Sequence, residues 1–403
     1  MGIALSDALL LLATMTALWA ARSRLRALVV RGKAVWALSG IALAYIFVSC
    51  LYPLLWQEEY QVATNLVTAA KFAEYAALAL TAGLLLGERR ARRAVFAALA
   101  GWSTLATIVA VLQFTGVDIF DAWRSGGRQP SFVGIHDLAA LSGAALVLAA
   151  VTLLFGAEDT DGRRVAWLAG ISGWLGLVLS GSVAPAIGLA LAALTIWVAA
   201  RQRGHADRKR ALALAAVVVS AMAGVIGLRG NEIGDFLRFT GILPAKAEIR
   251  NVESFGQRSI LAYIGLREFA GHPFFGVGWQ GSSEQQNYEP YLADAHARFP
   301  DQPAEAFPSP AHPWGVQNAP IQALADLGAV GTVPLAGLIG LLLFVAMRRS
   351  LRAESDLARG SAIALGWMVI ALTALTAIGL VAGLPSDALF WLAVGLLLAR
   401  QEL

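Results

Sequence analysis

The run AVFAALAGWSTLATIVAVLQF at residues 94–114, directly preceded by RRARR at residues 89–93, decides the fold. A stretch this long without a charged side chain, rising about 1.5 Å per residue as a helix, spans the roughly 30 Å of hydrocarbon in a bilayer. The arginines crowded at one end mark the end held at headgroup level, and the positive-inside rule assigns that end to the cytoplasm.

Similar apolar runs occur at 4–21, 34–54, 64–87, 136–156, 165–181, 184–200, 210–228, 323–347, 360–383 and 386–400, which predicts eleven transmembrane helices in all. Composition agrees: the 403 residues are 58% hydrophobic and only 14% charged, with a mean hydropathy of +0.64, whereas soluble domains carry about 25% charged residues. The expected class is an all-α polytopic membrane protein. The net charge of +4 is not read as a nucleic-acid footprint, because most of the basic residues sit in short clusters between apolar runs. One cysteine, Cys50, leaves no intrachain disulfide and no cysteine-based metal site. The first run, Leu5 to Ala21, has no basic residue before it and a basic cluster after it, the reverse of a cleavable signal peptide.

The connectors alternate in charge. Arg22, Arg24, Arg26, Arg31 and Lys33 follow the first run; Glu58 and Glu59, with no base, follow the second; Arg89, Arg90, Arg92 and Arg93 follow the third. Odd connectors and the C-terminus together hold 21 basic residues, and the other short connectors hold only Arg124 and Arg128. The predicted topology has the N-terminus outside and the C-terminus cytoplasmic. Residues 1–228 form helices one to eight, 229–317 an extracytoplasmic loop domain, and 318–403 helices nine to eleven. A loop of this length is usually functional. It contains Pro-rich stretches but also Trp279, Tyr288, Tyr291 and Trp314, which a disordered linker does not need. Residues 257–270 predict an amphipathic helix, with Ile260, Leu261, Ile264 and Phe269 on one side, lying on the membrane surface.

Ionisable groups inside membrane runs are costly and therefore functional candidates. Lys71 and Glu74 share a helix face, either as a structural ion pair or with Lys71 helping to hold an anion. His136 and Asp137 open the fifth run; Asp137 is either a helix cap or, beside Arg128, an acid-base group. In the loop, Arg258 and Arg267 either clamp a phosphate bidentately or meet lipid headgroups. Gly276-Val277-Gly278 marks a turn. No HExxH or other metal spacing, no Gly-x-Ser-x-Gly elbow and no P-loop is present, so neither a metal nor a cofactor is expected.

Several stretches carry a family resemblance. Gln257-Arg258-Ser259, then Gly271-His272-Pro273-Phe274-Phe275-Gly276-Val277-Gly278, then Gln317-Asn318-Ala319-Pro320-Ile321-Gln322-Ala323-Leu324-Ala325-Asp326-Leu327-Gly328-Ala329-Val330-Gly331 look like the O-antigen ligase and polymerase family of bacterial envelopes. That family shows an Arg before an amphipathic helix, an "hPhhGhG" turn, and "HNxxLxxLxExGxxG" leading into a membrane helix. Ser131-Phe132-Val133-Gly134-Ile135-His136-Asp137-Leu138-Ala139 resembles its "GxFxxpNxhA" helix start, and Leu179-Ser180-Gly181-Ser182 its "LTxSR" helix end. The likeness spans roughly residues 60 to 350.

The resemblance implies a metal-independent, inverting membrane glycosyltransferase of the bacterial plasma membrane. Its active site faces the extracytoplasmic side. The implied partners are an undecaprenyl-diphosphate-linked glycan donor, a glycan or glycolipid acceptor and membrane lipid. In the family a cationic pocket holds the diphosphate and a loop His activates the acceptor hydroxyl. Two positions depart: the family His falls on Gln317, and the Arg of "SR" falls on Val183. Glutamine is no general base, so the expected catalytic group is His312, with Asp137 as the carboxylate alternative. Arg258, Arg128, Lys71 and Arg267 are expected at the diphosphate. Gln317, Asn318 and His136 are expected at the glycan, with Trp279 and Trp314 stacking on sugars or anchoring the loop. A lipid-linked-sugar flippase and a catalytically inactive assembly scaffold are the competing classes; the long loop favours the enzyme over the flippase.

Overall fold

The computed structural model describes residues 5–56, 60–156, 160–204, 207–239, 242, 244, 254–353 and 355–399. The Glu58–Glu59 connector, residues 245–253 of the long segment and the terminal Arg400 lie outside them. The described residues are helical, with no strand beyond a single bridge between Ser309 and His312.

Every one of the eleven apolar runs overlaps a helix: α1 (Leu5–Ala20), α3 (Lys33–Ser49), α4 (Val62–Leu85), α5 (Arg89–Phe114), α6 (Ile135–Phe155), α7 (Thr160–Ser180), α8 (Val183–Gln202), α9 (Arg208–Leu228), α13 (Ala319–Arg352), α14 (Ser355–Leu375) and α15 (Ser386–Leu398). Among the described residues seven helices are long and apolar enough to cross a bilayer, or eight if a bent pair at the N-terminus counts as one span. The remaining runs are helical but weaker: α4 carries Lys71 and Glu74 in its middle, and α15 has 13 residues.

The bent pair corrects the sequence reading. Residues 22–31, read as a connector, form α2 (Arg22–Arg31), which turns 97° away from α1. Its arginines stay at the bundle end while Leu28, 1% exposed, drops onto Gly83, where an added Cβ would lie 3.1 Å from the leucine. The apolar run 360–383 is also too long as read. Helix α14 stops at Leu375, and the following segment folds back through Gly379 (φ +140) and Gly383 (φ +85). Gln322 Oε1 accepts from Leu380 N at 2.7 Å, and Asp387 Oδ2 accepts from Ala382 N and Gly383 N at 2.8 and 2.9 Å. These bonds satisfy backbone groups that a broken helix would otherwise leave unpaired in an apolar surrounding.

The base-rich connectors gather at one end of the bundle. Arg24 meets Glu88 at 2.7 Å, Arg203 Nε donates to Ser350 O at 3.1 Å, and Arg349 Nη1 donates to Leu397 O at 2.6 Å. The other end carries α10 (Gly230–Phe239), α11 (Ser254–Gly271) and α12 (Gln285–Arg298). The apolar side of helix α11 packs within the protein: Ile260 and Ile264 are buried in a small core with Tyr288, Ala295, Ala306 and Phe307.

What fixes this cap to the bundle is a reciprocal docking of two irregular segments. Helix α13 breaks at Gly328 (φ 59, ψ −168), and the turn Pro273–Gly278 enters the break. Val277 N donates to Ala325 O and Gly278 N to Asp326 O, both at 2.9 Å, while Ala329 N and Val330 N donate to Pro273 O and Phe274 O at 2.9 and 3.0 Å. The carbonyls and amides freed by the break are thereby paired with the turn. Trp279, fully buried, follows directly and donates from Nε1 to Thr68 Oγ1 at 2.9 Å.

Candidate active site

The site is assembled where α6 begins. The loop before α6 is pinned by Gln113 on α5, whose Oε1 accepts from Ser131 N at 2.8 Å and whose Nε2 donates to Ser131 O at 3.1 Å. Gln129 N donates to Leu179 O at 2.8 Å, tying the same loop to the end of α7. Gly134, at φ 99 a conformation open to glycine, then turns the chain into α6. His136, in the first turn, thus faces the α7–α8 junction on one side and α11 on the other.

Its two ring nitrogens are both engaged. Nδ1 lies 3.0 Å from Ser182 Oγ, and Nε2 lies 2.9 Å from Arg258 Nη2. A guanidinium only donates, so Nε2 is the acceptor, and the neutral ring carries its proton on Nδ1 and donates it to Ser182. Arg258 also donates from Nε towards Gln317 Oε1 at 3.4 Å, just ahead of α13. One arginine therefore stands between the histidine of α6 and the glutamine at position 317.

Two more guanidiniums close the group. Arg128 Nη2 lies 3.2 Å from Glu232 Oε1, and Arg229, 3% exposed, donates from Nε to Glu232 Oε2 at 3.1 Å. Both arginines pack against Gly181, where an added Cβ would lie 3.1 Å from Arg128 Cβ and 3.5 Å from Arg229 Cγ. Arg229 further stacks on Phe255, and Arg128 on Trp123. Burial, then the charges of Arg229 and Arg128, press the proton affinity of Arg258 downward, with Glu232 opposing them. Three cations around a single carboxylate, partly withdrawn from water, form a site suited to an anion with two or more negative oxygens.

The other expected residues fall elsewhere. Asp137 accepts from Ser386 Oγ at 2.6 Å, joining α6 to α15 rather than capping its own helix. Asn318 is the N-cap of α13, its Oδ1 accepting from Ile321 N at 3.2 Å. Arg267 meets Asp294 at 3.1 Å on the outer side of α11. Trp279 is inaccessible as a sugar platform, since it is fully buried with its edge to Phe72. His312 is exposed and stacks on Trp314 at 5.7 Å; among the described residues no hydrogen bond joins its ring to Arg258, His136 or Gln317. Lys71 is half-buried on α4. No group of three or more His, Cys, Asp or Glu side chains gathers as a metal site among the described residues.

Arg229 and Glu232 were missed in the sequence. Arg229 ends an apolar run on the base-poor end of the bundle, and that exception to the charge pattern is the signal that marks it.

Residues 165–336 match the family model described as O-antigen ligase. This segment belongs to the O-antigen ligase family. The matched O-antigen ligase region runs from α7 to the middle of α13 and contains Ser182, Arg229, Glu232, Arg258 and Gln317; Arg128 and His136 reach the same group from the preceding part of the chain. With its long apolar helices and this O-antigen ligase segment, the chain is an integral membrane protein. No curated protein matches the chain.

Proposed function

We propose that the protein is a membrane glycosyltransferase that moves a glycan from an undecaprenyl-diphosphate carrier to an acceptor hydroxyl with inversion, in the manner of an O-antigen ligase or polysaccharide polymerase. The observation that carries this reading is the single cluster of Arg258, Arg229 and Arg128 with a neutral imidazole 2.9 Å from the first. The proposed topology is eleven spans with the N-terminus outside, which puts the cluster on the extracytoplasmic face of the plasma membrane.

In this reading the diphosphate draws the Arg258 guanidinium and frees His136 Nε2. The acceptor hydroxyl gives its proton to Nε2 while Ser182 keeps Nδ1–H in place. The acceptor oxygen bonds to the anomeric carbon, the bond from that carbon to the phosphate oxygen breaks, and the diphosphate leaves with the electron pair. Arg258, Arg229 and Arg128 stabilise the charge that develops there. Gln317 orients sugar hydroxyls, and His312 with Trp314 lies on the exposed face open to an acceptor.

In this reading both departures from the family pattern have substitutes nearby. His136, across Arg258 from Gln317, takes the part of the imidazole absent at position 317. The guanidinium absent at Val183 has Arg128 and Arg229 in its neighbourhood, packed on Gly181. This compensation favours an active enzyme over an inactive scaffold.

The test is incubation of purified protein in nanodiscs with undecaprenyl-diphosphate-linked oligosaccharides, with and without glycan or glycolipid acceptors, resolved by mass spectrometry. Growth on the carrier identifies a polymerase, and growth only with an added acceptor identifies a ligase. Binding of the carrier without transfer across several donors and acceptors would overturn the reading.

A further inference from the structure

Glu232 holds the guanidiniums that a diphosphate needs. Its carboxylate spans two of them, Oε1 lying 3.2 Å from Arg128 Nη2 and Oε2 accepting from Arg229 Nε at 3.1 Å. An acid in the first turn of a helix is ordinary, because the helix dipole favours it there. Bridging two arginines from separate elements is not. Arg229 pairs with it across the α9–α10 junction, and Arg128 reaches it from the loop ahead of α6.

The partners differ in how they are held. Arg128 packs on Gly181 and Trp123, and Arg229 on Gly181 and Phe255. Glu232 makes no side-chain hydrogen bond among the described residues beyond those to the two arginines. Its side chain is 32% exposed, against 3% for Arg229. The guanidiniums are thus fixed by packing, whereas the carboxylate is fixed by charge and has a path to water.

The inference rests on these arginines holding the carrier diphosphate. In the donor that diphosphate is esterified at both ends, with one ionised oxygen on each phosphorus. When the bond to the anomeric carbon breaks and the electron pair stays with the phosphate, a further negative oxygen faces the same guanidiniums. Fixed arginines then hold the product more tightly than the donor, and on their own they release it slowly. A tethered carboxylate counters this, because it competes for the guanidiniums at the high effective concentration of an intramolecular partner. We propose that Glu232 trades places with the diphosphate: it gives up Arg128 and Arg229 when the donor arrives and takes them back to expel the product. It is a positioning residue, touching neither the acceptor nor the anomeric carbon.

The experiment compares the full chain in nanodiscs as wild type and as Glu232→Gln, which keeps an oxygen acceptor without the charge. Undecaprenyl diphosphate and an undecaprenyl-diphosphate-linked oligosaccharide are titrated separately, and transfer is followed in both the first and the later turnovers. Glu232→Gln should bind undecaprenyl diphosphate about tenfold more tightly and the donor about threefold more tightly. KM and kcat should fall together, with a first turnover at the wild-type rate ahead of a slow steady state. Asp235→Asn, on the same helix and paired with Arg238, should shift neither affinity. Glu232→Asp keeps the charge on a side chain one methylene shorter, so it should lie between wild type and Glu232→Gln and reads the exchange even if the glutamine variant folds poorly. Undecaprenyl diphosphate bound no more tightly by either Glu232 variant, or an equal tightening in Asp235→Asn, overturns the exchange while leaving the diphosphate reading in place. Failure of the wild type to bind either lipid overturns the diphosphate reading itself, and the exchange with it.

Discussion

Gly276 and Asp326 approach so closely that a Cβ built on the glycine would lie 2.5 Å from the carbonyl carbon of the aspartate. The glycine also holds φ +73, which disfavours any side chain. Both constraints act on the turn that fills the break in α13. Gly276→Ala is therefore expected to undock the cap, at a cost of about 3 kcal/mol or more from combined strain and lost backbone pairing. Thermal unfolding in detergent and limited proteolysis within 272–318 measure this; a variant as protected as wild type refutes the docking role.

The two histidines separate by environment. His136 is tied to Ser182 and Arg258, whereas His312 stacks on Trp314 at the surface. His136→Ala should reduce turnover by about 10²- to 10⁴-fold, the usual worth of a positioned general base. His312→Ala should change turnover much less and act, if at all, on acceptor KM. The reverse ranking in a transfer assay would make His312 the base.

Charge alone does not satisfy the arginine cluster. Arg258 uses Nη2 and Nε towards two different partners, a fork that lysine cannot reproduce. Arg258→Lys should then lose transfer nearly as fully as Arg258→Ala, while Arg229→Ala weakens carrier binding and leaves Glu232 with Arg128. Arg267→Ala breaks only a half-exposed pair with Asp294 and should cost under about 1 kcal/mol of stability with turnover kept. Carrier binding and initial rates on the four proteins decide the ranking.

The helices were legible because apolar runs and arginine flanks are one-dimensional signals. The α1–α2 bend and the early end of α14 were not: Leu28 reads like any leucine until Gly83 is seen beneath it, and the stretch after Leu375 is as apolar as a helix. Arg258 was singled out through its neighbours in sequence, and the fold brings it to His136 and Gln317. Arg229 was overlooked because its role depends on Gly181 and Glu232, which only the fold brings to it. Trp279 illustrates the opposite error, since an aromatic in a loop suggests a sugar platform and only burial against Thr68 and Phe72 removes that possibility.

Glu268 supplies a pH-dependent prediction. It lies on the face of α11 turned to α13, fully buried, and neither carboxyl oxygen has a hydrogen-bond partner among the described residues. Burial, reinforced by the nearby Asp326 charge, pushes its carboxyl well above the usual carboxylate range. The folded state then holds the proton more tightly than the unfolded chain, in which Glu titrates near about 4.3. By linkage the contribution is fully present below that unfolded value and is lost as pH rises towards the folded one. Stability of the cap should therefore fall with increasing pH above about 4.5. Glu268→Gln keeps the shape without the ionisable proton, so it should flatten that slope and match or exceed wild type at alkaline pH. Unfolding followed from pH 5 to 9 on both proteins checks it, and parallel slopes would show that Glu268 is not the titrating group.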